Sequence, residues 1–181
     1  MASVSDDAAW KAGTAMTKVS GRLDGARRTL VLTRRIGARA DELWQALAQS
    51  DRLERWFGSW RGDPSSGQVM LTMNAEAAPV PAVPCEIRVC DPPQRLGISV
   101  TDSYGHWQLT IELRESNGMT DLTLRHEDIE LQAVPEVGPG WEWYLDRLEA
   151  TVTGSALPTL EDFVDCYTPM GEDYSAMIVA E

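Results

Sequence analysis

The most restrictive stretch of this chain is WQLTIELRESNGMTDLTLRH, residues 107–126. Trp107, Leu109, Ile111 and Leu113 alternate with polar residues, an Asn117–Gly118 pair follows, and Leu122 and Leu124 resume the alternation. Period-two alternation marks strands that bury one face. Asn-Gly is the strongest short hairpin signal, because both central positions of a type I′ turn need positive φ. Pairing Ser116 with Met119 sets Leu113 opposite Leu122, Ile111 opposite Leu124 and Leu109 opposite His126. A slip of one residue would turn the leucines of one strand outward, so turn chemistry and hydrophobic pattern agree on one register. That register carries a chemical consequence: the His126 side chain lands on the apolar face.

The same reading extends in both directions. Toward the amino terminus, Val69, Leu71 and Met73 alternate, then Cys85, Ile87 and Val89, then Leu96, Ile98 and Val100, with AAPVPAVP and DPPQR as proline-rich connections. Prolines cannot donate ladder hydrogen bonds, so the first of these is expected as a long extended loop and the second as a turn. An earlier strand is expected from about 26 to 36, with Leu30, Leu32 and Arg34 on one face. Between them ADELWQALAQSDRLERWFG changes period, with Leu43, Ala46 and Leu47 at helical spacing. It predicts a helix broken near Ser50 and Asp51, then a second short helix presenting Leu53, Trp56 and Phe57 before Gly58. After PEVGPG, read as a loop, Trp141, Tyr144, Leu145, Leu148 and Val152 recur at three and four residues and predict a helix over 140–153 that ends at Gly154. Strand, helix pair, five alternating strands and long helix make an α+β domain over residues 22–157. Residues 1–21 read as a flexible leader, and 158–181 as an acidic tail with a short helix near Leu160.

Charge excludes some partners. The net charge of −12 lies in the last third: residues 121–181 hold 14 acidic side chains against only Arg125 and Arg147, while residues 1–120 balance 14 against 14. An acidic surface repels phosphate backbones and anionic lipid, so neither nucleic acid nor membrane is an expected partner. No window approaches the ~20 apolar residues of a membrane span, and no apolar signal segment opens the chain. Of three cysteines, Cys85 and Cys90 sit five apart on one predicted strand, facing opposite ways, where they cannot bridge. Reduced thiols and a cytoplasmic location are expected.

The chemistry-bearing residues are few. Two histidines and three scattered cysteines supply no CxxC or HExxH spacing, so no metal is expected. GDPSSG lacks the lysine and the context of a phosphate loop, and no cofactor is expected. His126 carries two readings: a polar group that holds a ligand oxygen or moves a proton inside an apolar site, or a structural histidine that ties its strand to the helix start at GPGW. Asp128 would share its face if the alternation continued.

ADELWQALAQSDRLERWF, LTLRH closing the last strand and GWEWYLDRL in the last helix together resemble the START-like, Bet v 1-type superfamily, in particular its activator of Hsp90 ATPase homologue 1-like branch. The resemblance covers about residues 26–153; the proline-rich stretch at 79–84 and the tail after Leu157 depart from it. It implies a helix-grip fold, a curved antiparallel sheet of about six strands wrapped around a long carboxy-terminal helix, with a cavity between them. Trp56, Trp107, Trp141 and Tyr144 are then the expected aromatic lining by periodicity, with Cys85, Ile87, Ile98, Leu109, His126 and Leu148 completing it. Three functions follow as expectations: binding of a small apolar molecule; a cyclase or aromatase reaction in which His126 and Tyr144 handle protons; or contact with a chaperone partner. A homodimer is left open.

Overall fold

The Asn117–Gly118 turn closes with both residues at positive φ, 53° and 73°, and its strands pair Leu113 with Leu122, Ile111 with Leu124 and Leu109 with His126. The register expected from the turn is the observed one. The computed structural model describes residues 19–24, 26, 28–75, 78 and 80–179, so the expected leader lies outside the described residues up to residue 18. In chain order the elements are β1 (Arg22–Asp24), β2 (Thr29–Ile36), α1 (Ala40–Ala48), α2 (Ser50–Leu53), β3 (Gly58–Arg61), β4 (Gln68–Met73), β5 (Val83–Asp91), β6 (Arg95–Asp102), β7 (Gly105–Ser116), β8 (Met119–Glu127) and α3 (Val134–Thr153). The tail adds α4 (Leu160–Asp162), which runs through a π-helical turn (Phe163–Tyr167) and a 3-10 turn (Thr168–Met170) into α5 (Gly171–Val179).

All strands form one antiparallel sheet in the order β1-β2-β8-β7-β6-β5-β4-β3. This is the helix-grip arrangement, with eight strands among the described residues rather than about six. Both additions are edges too short to show a period. β1 pairs Leu23 with Leu30 across a turn where Arg28 takes positive φ, so the strand expected from about 26 begins instead at Thr29. β3 starts at Gly58, read from sequence as a helix stop; a Cβ there would come within 2.3 Å of the Thr72 carbonyl oxygen, so the close backbone approach itself demands glycine.

The inner face carries Leu30, Leu32 and Ile36 from β2, Leu122 and Leu124 from β8, and Leu109 and Leu113 from β7, all at most 8% exposed. Burying a leucine of this kind contributes about 2–3 kcal/mol, so this face is where the fold gains most. Trp141, Tyr144, Leu145 and Leu148 of α3 are buried with it in one core, and Leu43, Ala46 and Leu47 of α1 join them. Helix α3 starts at Val134, six residues before the sequence reading placed it. Pro135 sits in the first turn, where its missing N–H has no helical partner to lose. Pro139 and the glycines, which read as loop, are held helical by packing: Tyr174 of α5 lies over Gly138 so closely that a Cβ there would meet its ring at 2.6 Å. α3 therefore lies between the sheet and the tail. Among the described residues no helix is long and apolar enough to cross a membrane.

Candidate functional site

Register places the candidate residues in rows. Ile87 pairs with Ile98, Ile98 with Leu109, Leu109 with His126 and His126 with Leu30, so one transverse line runs across β5, β6, β7, β8 and β2. Directly paired residues share a face, so the line is apolar except at His126. The adjoining row holds Cys85, Val100 and Trp107.

His126 is 3% exposed. Its Nδ1 accepts the indole N–H of Trp141 at 3.3 Å, and Trp107 stacks on its face, centroids 5.1 Å apart and planes 24° from parallel. Trp141 stands edge-on to both rings. An Nδ1 that accepts leaves the proton of the neutral ring on Nε2, an assignment made from the hydrogen-bond network. Burial drives the imidazole down to about 4, with a smaller push from His106. The residue is thus a neutral donor, and it ties β8 to the GPGW region of α3, as the structural reading of the sequence expected. Asp128 does not share its face: the strand ends at Glu127, Asp128 turns to positive φ, and its exposed carboxylate lies 3.6 Å from Arg28.

From Trp141 the rings continue to Tyr144, centroids 6.1 Å apart, and from Tyr144 to Phe57 at 4.8 Å and Trp56 at 6.5 Å. Trp56 is therefore two rings removed from His126, and its indole N–H is used by the Ala46 carbonyl at 3.0 Å. Leu148 is fully buried in the same core. Cys85 is buried, and its thiol is pushed up to about 11 by burial, which makes it a packing residue rather than a nucleophile. So Ile87, Ile98, Leu109 and His126 share one row of the sheet, Trp107 and Trp141 pack on His126, Tyr144 follows from Trp141, and Trp56 lies two rings from His126. Two surface clefts, of about 120 and 450 Å³, share Arg55 and Thr151 near the carboxy-terminal end of α3, and neither borders His126. Among the described residues no group of three or more His, Cys, Asp or Glu is placed to hold a metal ion.

A buried charge cluster escaped the sequence reading. Glu142 is fully buried, on α3. Its carboxylate accepts from Arg34 Nη2 at 2.5 Å, the Tyr174 hydroxyl at 2.6 Å, and the Ser20 amide, Ser20 hydroxyl and Gly21 amide at 2.7, 2.8 and 3.1 Å. One turn on, Asp146 accepts from Arg34 at 3.0 Å and from the Tyr167 hydroxyl at 2.7 Å. Burial alone would raise Glu142; Arg34 and the donated hydrogen bonds more than reverse it and hold the group below its ordinary range. The cluster clamps the segment before β1 and the tail onto α3. Its one sequence signal is Arg34, a charge on the apolar face of a strand, which requires a buried counter-charge.

A family model described as Activator of Hsp90 ATPase homolog 1-like protein matches residues 37–153. Among solved structures, the chain is similar to CalU16 from Micromonospora echinospora, at 28% identity and a TM-score of 0.69 over 88% of this chain and 94% of that one. It is also similar to the protein encoded by BPP1335 of Bordetella parapertussis, at 21% identity and a TM-score of 0.67 over 87% and 91%, a likeness of fold. The sequence matches no curated protein.

Proposed function

The chain belongs to the activator of Hsp90 ATPase homologue 1-like family, and from that membership and the inner-face geometry we propose that it binds a small, largely apolar molecule between sheet and α3, at the His126 row. The observation that carries the reading is a neutral imidazole on an otherwise apolar line of residues, walled by Trp107 and Trp141. A site built from apolar and aromatic side chains with very few polar groups is the usual form of a small-molecule pocket. Ile87, Ile98 and Trp107 on this face are half-buried rather than sealed.

Binding is favoured over catalysis by the state of His126. A general base near neutral pH needs a pKa close to the working pH, whereas this ring sits near 4 with Nδ1 already engaged. We take residues 22–157 as the binding domain, with the tail clamped on its outer side, and the free thiols of Cys85, Cys90 and Cys166 fit a reducing, cytoplasmic setting.

The test is titration of the protein with aromatic amphiphiles while intrinsic tryptophan fluorescence is followed. Trp107 and Trp141 flank the site, so a saturable spectral change is expected, lost in a Leu109→Trp variant that fills the row. Absence of a saturable response across lipid, polyketide and aromatic probes overturns the proposal.

A further inference from the structure

The hydrogen bonding of His126 is half complete. Nδ1 takes the Trp141 indole proton, the ring proton is therefore on Nε2, and Nε2 has no partner among the described residues. Every side-chain nitrogen or oxygen there that is sealed from solvent does have a partner. Nε2, being unpaired, is therefore not fully sealed: it keeps a small accessible surface. The ring is also immobilised. Trp107 holds its face, and Trp107 is itself held by Asp102 at the end of β6, whose Oδ1 accepts the indole N–H at 2.9 Å together with the backbone amides of Tyr104 and Gly105 at 2.8 and 3.1 Å. One edge fixed, one face fixed and one N–H free is a preorganised single donor.

We propose that the guest is an uncharged molecule carrying a hydrogen-bond acceptor, a carbonyl or ether oxygen on an apolar ring system, which accepts from His126 Nε2–H. The inference rests on the binding reading above and narrows it to a ligand class. An apolar molecule with no acceptor leaves the N–H unpaired, and burying that donor is penalised. An anion meets a neutral ring with no cation in the row to offset its desolvation. A donor-only molecule meets another donor. His126 selects by donating, and no proton is transferred.

The test compares α-tetralone with tetralin, which share a bicyclic skeleton and differ by a carbonyl oxygen, by calorimetric titration of the full chain. The wild-type protein is expected to prefer the ketone by about tenfold, the worth of one hydrogen bond between neutral groups. His126→Phe should reverse the preference, since a buried ketone then lacks a donor. His126→Gln, which keeps an N–H, should retain part of it. Nitrogen-15 shifts of His126 should show Nε2 protonated and Nδ1 bare, and Trp141→Phe should mix the tautomers and shrink the preference. Equal affinity for the two probes, or a proton on Nδ1, overturns this inference and leaves the binding reading standing. No saturable binding by either probe overturns both.

Discussion

Acidification should weaken this protein through His126 before it does so through the carboxylates. The folded imidazole sits at about 4 against an ordinary value of 6.5. As pH falls through 6.5 the unfolded chain takes up a proton at this position and the folded chain does not. The unfolded state then binds more protons, and stability falls with falling pH. The contribution is fully present above about pH 6.5 and gone once pH passes the folded value. At about 1.4 kcal/mol per unit the whole difference amounts to about 3 kcal/mol, of which about 1.5 kcal/mol is lost between about pH 6.5 and 5. Glu142, held low by Arg34 and its hydrogen bonds, begins to lose its contribution only as pH falls below the ordinary carboxylate value of 4.5. Glu149, raised by burial, acts with opposite sign but equally in wild type and variant. Urea denaturation at a series of pH values, with His126→Gln as reference, isolates the effect: the wild-type free energy should drop by about 1.5 kcal/mol relative to the variant across that window. Parallel profiles for the two proteins would refute the buried, neutral imidazole.

Three further outcomes follow from the packing. Glu142→Gln removes one partner of a buried ion pair and should lower stability by about 3–5 kcal/mol, with the tail becoming the first site of proteolytic cleavage; a loss under about 1 kcal/mol would contradict the clamp. Gly138→Ala should gain about 1 kcal/mol of helix propensity and still be destabilised on balance, because its Cβ would sit 2.6 Å from the Tyr174 ring; in a Tyr174→Ala background the sign should reverse, as read from thermal midpoints. Trp141→Phe should cost about 1 kcal/mol through the lost bond to His126, measured by urea denaturation, and a neutral result would mean that the 3.3 Å contact contributes nothing.

The sheet was legible where its signals are local. The type I′ turn and the leucine alternation depend on residues adjacent in the chain, so the β7–β8 register and the inward position of His126 follow from the amino acids alone. The break between α1 and α2 and the stop at Gly154 belong to the same class. What escaped depends on partners distant in the chain. The first turns of α3 hold two glycines and two prolines and read as a loop; they are helical because the tail covers them. The three-residue β1 has no period of its own and exists as a strand only beside β2.

The candidate site divides in the same way. Alternation places Ile87, Ile98, Leu109 and His126 on one face, because side-chain direction in a strand is set every second residue by the backbone. No local rule says that Trp141, on a helix fifteen residues on, bonds His126 Nδ1 and so selects its tautomer, or that Asp102 holds Trp107 against the ring. Arg34 announced only that a counter-charge must exist; folding alone decided that Glu142 and Asp146 provide it, and that Tyr174, Ser20 and Gly21 complete it. Periodicity settles which way a side chain faces. What it touches depends on how elements separated by about a hundred residues pack, and that is fixed by the whole chain burying its apolar surface at once.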